Sequence, residues 1–186
     1  GDMQEVGFNV FADMLNRAVA HLKQGKNLDN IDLTQPLGVS SEINLRTPAL
    51  LPDAYCPDVH ERLTLYKRLA NCETAEDIDA MQEELIDRFG ELPLQGQSLI
   101  ATHRLRLMVK PLLIQKLDAA TDQVTIQFSP EFSKNPPIDP IRIIHLIQNN
   151  RAYKLAGQDK ISLSRHCPNL NDKVAAVKDM IRELTK

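Results

Sequence analysis

Five charged side chains, Asp77, Glu84, Asp87, Arg88 and Glu91, crowd the stretch that ends in "EELIDRFGELP". Counted at about 100° per residue they fall within roughly a 100° arc of one helix, with the helical path extended to reach Glu91. A carboxylate row edged by a fork-shaped guanidinium can accept charge-assisted, bidentate bonds from Arg or Lys of a partner. Local stability does not account for it. Glu84 and Arg88 form an i,i+4 pair worth a few tenths of a kcal/mol, and the like charges of Glu84 and Asp87 remove part of that. On the residues alone, a solvated face is the plainer reading and a docking surface the sharper one.

Other reactive groupings are sparser. Cys56 and His60 stand four apart and His166 adjoins Cys167, four ligands of the types that zinc takes. Neither spacing is that of a zinc knuckle, and adjacent side chains point apart in regular backbone, so no metal site is expected. His103, between Leu99, Ile100 and Leu107 on a helical pattern, reads as a core or boundary histidine. Arg104, Arg106 and Lys110 could contact phosphate, but their spacing spreads them over more than one helix face. The seven glycines form neither GxG nor a P-loop, and GxSxG, HExxH and SxxK are absent. No catalytic residue and no cofactor-binding residue is expected, and the chain reads as a non-enzyme.

The elements that must position these groups follow from periodicity and turn chemistry. "FNVFADMLNRAVAHLKQG" puts Phe8, Phe11, Leu15, Ala18 and Leu22 at helical spacing before Gly25. A polar stretch over 26–38 follows, with a domain boundary there, and "SEINLR" alternates as a half-buried strand. A proline-bearing loop leads to Asp58, which caps a helix with Glu61 in capping-box position and Leu63, Tyr66 and Leu69 or Ala70 inward. The next helix starts at Thr74 and stops at Gly90, with Ile78, Met81, Leu85 and Phe89 as its buried stripe. A further helix breaks at Pro111. "LLIQKL" and "QVTIQF" flank a five-residue loop, "DAATD", as a hairpin. Asp139 and Pro140 open a helix to about Asn149. "YKLAG" and "KISLS" make a second hairpin around Gly157, and a closing helix turns Val174, Val177, Ile181 and Leu184 inward. The fold class expected is α+β: short antiparallel strands and hairpins with several amphipathic helices packed around them.

Composition limits the partners. With 22 Lys and Arg against 25 Asp and Glu, the net charge is -3, without the basic balance of a dedicated nucleic-acid module. Aromatic residues are 4% with no tryptophan, too few for a base-stacking platform. Three cysteines without CxxC spacing point to reduced thiols in the cytoplasm. No stretch approaches the roughly 20 apolar residues that span a bilayer, so no membrane partner is expected. The opening Gly-Asp-Met reads as a segment of a longer chain.

Three blocks in order, "VGFNVFADMLNRAV", "LRTPALLPDAYCPDVHERLTLYKRLA" and "EELIDRFGELP", resemble the C-terminal end of the bacterial transcription-repair coupling factor family. The resemblance is densest from Val6 to Pro93 and looser beyond. It implies a regulatory domain over 35–186, with 1–34 as the helix and linker leaving a preceding motor module. That motor, an ATP-dependent DNA translocase using ATP and Mg, is not contained in this chain. The resemblance further implies docking on an N-terminal UvrB-like module of the same protein. Docking would hide the surface that binds UvrA and so link the domain indirectly to stalled RNA polymerase. The interface residues it implies are Glu84, Asp87 and Arg88. Cys56 and Thr47 depart from the family pattern, and the simpler reading of Cys56 is a small buried thiol. An accessory DNA-binding role through Arg104, Arg106 and Lys110 is the alternative.

Overall fold

The computed structural model describes residues 41–186, and these fall into two compact units. The amphipathic segment at Phe8–Gly25, the motor exit over 1–34 and the boundary near 26–38 lie outside the described residues.

The first unit is built from Pro48–Arg104. Its helices are α1 (Val59–Ala70), α2 (Ala75–Phe89) and most of α3 (Leu94–Val109), which carries the chain onward. Asp58 caps α1 by accepting from the His60 and Glu61 amides. The expected reciprocal bond from Glu61 is replaced, because that carboxylate accepts instead from Arg88. Thr74 and Asp77 close a complete capping box on α2. Ile78, Met81 and Leu85 are buried as the period requires, and Leu65, Tyr66 and Leu69 are the buried residues of α1, with Leu63 only half-buried. The Leu51 amide donates to the Tyr66 hydroxyl at 2.8 Å, which fastens the proline-bearing loop to α1.

The second unit joins Ser41–Thr47 to Leu105–Lys186. Pro111 ends α3 in a single 3-10 turn at Lys110–Leu112, and Leu113 leaves it with φ 57°. Five strands follow the order β1-β2-β3-β5-β4. They are β1 (Glu42–Asn44), β2 (Ile114–Ala119), β3 (Gln123–Phe128), β4 (Tyr153–Gly157) and β5 (Lys160–Ser164), with α4 (Pro140–Asn149) and α5 (Leu170–Thr185) as the helices. The sheet is mixed, because β1 runs parallel to β2 while the other pairs are antiparallel. The first hairpin is tighter than expected: Asp118 pairs with Thr125 and Ala119 with Val124, leaving only Ala120–Asp122 as loop.

Alternation sorts the sheet into two faces. Leu117, Val124, Ile126, Ile161 and Leu163 are buried with Val177, Met180 and Leu184 of α5, while Glu42, Lys116, Gln127 and Lys160 form a polar row. The inward stripe of α5 is rotated from the expected one and includes Lys173, whose Nζ donates to the Leu45 carbonyl at 2.9 Å. Arg46, with φ 58°, turns the chain out of β1. Its backbone N–H donates to the Asn44 side chain at 2.9 Å, and its guanidinium makes a two-toothed bond to Asp118 at 2.7 and 2.6 Å.

Leu163 is 1% exposed in a strand paired on both sides. Leu163→Ala should cost about 2–5 kcal/mol, read as a lower urea midpoint with an unchanged slope.

Candidate docking face on the second helix

Two backbone devices set the pose of α2. The capping box fixes its start, with the Asp77 carboxylate accepting from the Glu73 and Thr74 amides at 3.0 and 3.2 Å. Those bonds hold the Asp77 carboxyl below the usual carboxylate range. Gly90 fixes its end: φ is 92°, a region open to glycine, and its N–H donates to the Ile86 carbonyl at 2.9 Å. The Tyr55 hydroxyl shares its proton between the Gly90 carbonyl at 2.7 Å and the Leu85 carbonyl at 3.0 Å. Tyr55 also meets Phe89 at 5.5 Å between ring centroids, with the Arg88 guanidinium 4.9 Å above the Phe89 ring.

The charged strip divides into members with local partners and members without. Glu84 accepts two parallel bonds from Arg68 of α1, at 2.6 and 2.7 Å, and a third from Arg88 at 3.1 Å. Arg88 also reaches Glu61 of α1, so Arg68, Glu84, Arg88 and Glu61 form one alternating chain across the two helices. The strip therefore has a structural task that the i,i+4 pair alone did not reveal. Asp87 and Glu91 are exposed and make no ion pair among the described residues, and Glu83 and Glu76 share that state. Of the three implied interface residues, Glu84 and Arg88 are brought together and satisfied within the unit, while Asp87 presents an open carboxylate.

Arg68 was not singled out from the sequence, Glu61 was expected only as a capping-box residue, and Tyr55 was not linked to α2. A signal for Arg68 existed: only Asn71–Thr74 separate α1 from α2, a connection short enough to lay the helices side by side and present the end of one to the middle of the next. Nothing local marks the Glu61 to Arg88 pairing, which spans 27 positions.

The remaining groups are placed as follows. Arg104 is engaged with Asp79 at 2.7 Å and with Gln82 at 2.8 Å, so it is held by α2 rather than offered to a phosphate. His103 is buried. Cys56, Cys72 and Cys167 are buried free thiols, and burial pushes Cys56 and Cys167 up from the ordinary thiol range. His166 Nδ1 lies 2.7 Å from Asp122, whereas Cys167 Sγ donates to the Ala120 carbonyl at 3.1 Å. Among the described residues no three His, Cys, Asp or Glu side chains converge as a metal site, and no helix is long and apolar enough to cross a membrane.

The guanidinium of Arg68 first, and that of Arg88 after it, lowers the Glu84 carboxyl from an ordinary 4.5 to about 2. A depressed folded-state value stabilises above the unfolded value and is lost as protons are forced on. Glu84→Gln should therefore cost about 1 kcal/mol at neutral pH, given the partial exposure of the network. The gap between wild type and variant should close as pH falls from 4.5 toward 2, read from urea titrations at each pH.

The TRCF domain family matches residues 45–138. The transcription-repair-coupling factor of Haemophilus influenzae is 36% identical over 185 residues, covering 99% of this chain, and that of Escherichia coli K12 is 34% identical over the same share. This chain spans 16% of the length of each of these curated relatives. The solved C-terminal domain of a transcription-repair coupling factor superposes with a TM-score of 0.64 over 78% of this chain and 91% of that one, at 19% identity, and so shares the α+β fold. The chain belongs to the transcription-repair coupling factor family and has the fold of its C-terminal domain.

Proposed function

We propose that this domain is an autoinhibitory clasp. It docks through α2 on a UvrB-like module elsewhere in the same protein and covers the surface by which that module binds UvrA. The parent protein is then an ATP-dependent DNA translocase that displaces stalled RNA polymerase and hands the lesion to excision repair. This domain contributes regulation and no chemistry of its own.

The observation that carries this reading is the exposed Asp87 carboxylate, free of ion pairs among the described residues, on a helix whose neighbouring charges are already paired. An ordered network beside an open carboxylate suits recognition of a basic side chain, since Glu84 and Arg88 are held in place and lose little freedom on docking. Asp87 would accept from Arg or Lys of the module, while Glu84 and Arg88 set the shape and local field around that bond. Membership of the family supports the placement at the C-terminal end of a longer protein.

Tethering lets a weak contact suffice. At an effective concentration of about 1 mM, an interface with a Kd in the high-micromolar range stays mostly closed within one chain. A ligand that favours the open form, such as polymerase engaged by the rest of the protein, shifts the population by its differential affinity.

Asp87→Arg in the full-length protein should raise UvrA binding severalfold, up to about tenfold, since a mostly closed equilibrium lowers the apparent affinity to the open fraction of its intrinsic value. The thermal midpoint of the isolated domain should be unchanged. Unaltered UvrA binding in a folded variant would overturn the clasp. NMR titration of the domain with the isolated UvrB-like module should move the signals of Glu84 to Glu91 in wild type and leave them in place in the variant.

A further inference from the structure

A second surface lies in the unit formed by Ser41–Thr47 and Leu105–Lys186, and it does not depend on the clasp. β4 is the outermost strand of the sheet among the described residues. Its main-chain pairing fixes which groups face outward. The Ser164 amide donates to the Ala152 carbonyl at 2.7 Å, so alternation turns the Lys154 amide and carbonyl toward β5 and those of Leu155 toward the open edge. The Tyr153 amide, which also points outward, is already taken by the Asn150 carbonyl at 3.1 Å.

The side chains at this edge are equally one-sided. Tyr153 and Leu155 lie opposite Leu163 and Ile161 on the face that carries the core. Three of these four are buried to 3% or less, whereas Leu155 is 66% exposed, an apolar side chain pointing to the core face where the cover ends. α4, which packs against β4, buries none of its residues completely, and Ile141 and Ile144 on its outer side are 63% and 52% exposed. Burying three such side chains would be favourable in any partner that reached them.

Charge states what kind of partner that is. From Pro140 to Lys160 the chain carries Arg142, Arg151, Lys154 and Lys160 against the single carboxylate Asp159, in a protein whose net charge is -3. Of the α5 carboxylates, Asp179 is paired with Arg165 and Arg182 and Glu183 with Lys186, while Asp172, in the first turn, is exposed and makes no ion pair among the described residues. Lys154 lies opposite Ser162, on the polar face of the sheet, and so on the other side of the strand from Leu155. A strand added at this edge would set alternate side chains beside Leu155 and beside Lys154 in turn.

We propose that the open edge of β4 and the outer apolar side of α4 receive an extended segment of a partner protein, one that alternates apolar residues with Asp or Glu and joins the sheet as a sixth strand. The main chain of Leu155 supplies the strand-to-strand bonds, the exposed side chains of Leu155, Ile141 and Ile144 supply apolar area, and Lys154 with Arg151 selects for acid. A second copy of this chain fits poorly, because pairing β4 with itself brings lysines together across the join.

The test selects a displayed library of random 12-residue peptides on the complete 186-residue chain, then measures the recovered peptides by fluorescence anisotropy and amide exchange. Recovered sequences should alternate apolar with acidic residues, and Lys154→Glu should weaken them about fivefold. The Leu155 amide should exchange about tenfold more slowly in the complex. Recovery of nothing above background, recovery of basic sequences, or an unchanged Leu155 amide in the complex would each overturn the proposal. So would self-association of the chain alone with Leu155 protected, since that assigns the edge to a second copy.

Discussion

Glu84 accepts from two guanidiniums at once, and the mutual setting of α1 and α2 follows from that. A carboxylate has about four lone-pair directions, and three of them here are filled by bonds whose donors sit on two different helices. Sliding α2 by one turn would carry Glu84 past Arg68 and Arg88 past Glu61 together, so the four side chains act as a register mark on a surface where apolar packing tolerates small slips. The apolar stripe of Ile78, Met81 and Leu85 supplies the attraction, and the charged chain selects one alignment among those the stripe would accept.

Most element boundaries could be read from local chemistry because their signals are local. Asp139-Pro140 starts a helix, Gly90 ends one, and Pro111 breaks one, each within a residue or two of the observed limits. Readings failed where a residue's partner is distant in sequence. Asp58 followed by Glu61 looks like a capping box, yet Arg88 draws the Glu61 carboxylate away. Lys173 breaks the apolar pattern of α5 and is buried nonetheless, because the Leu45 carbonyl, 128 positions away, needs a donor. The parallel direction of β1 is also invisible locally, since alternation specifies a strand's faces but not the way its neighbour runs.

The same distinction bears on the candidate face. The clustering of Asp77, Glu84, Asp87 and Arg88 on one side of a helix is pure geometry and needs only the 3.6-residue period. Which of those charges remain available depends on α1, and is decided by contacts no helical count contains. Asp77 is the exception: Thr74 three residues earlier already marks it as a capping partner rather than a free surface charge. The strip thus holds three kinds of carboxylate. One closes a helix, one ties two helices together, and Asp87 is open to solvent.

β1 has a consequence for how the protein is made. Ser41, next to it, donates to the Ile114 carbonyl 73 positions away, and all of Pro48–Arg104 intervenes. On the ribosome, at about 5–20 residues per second, the strand would wait roughly 4–15 seconds for the edge it pairs with. The contacts of Pro48–Arg104 are all available within that interval. The order of synthesis therefore favours completing the helical unit first, and Ile43 and Leu45 stay uncovered until the sheet emerges to receive them.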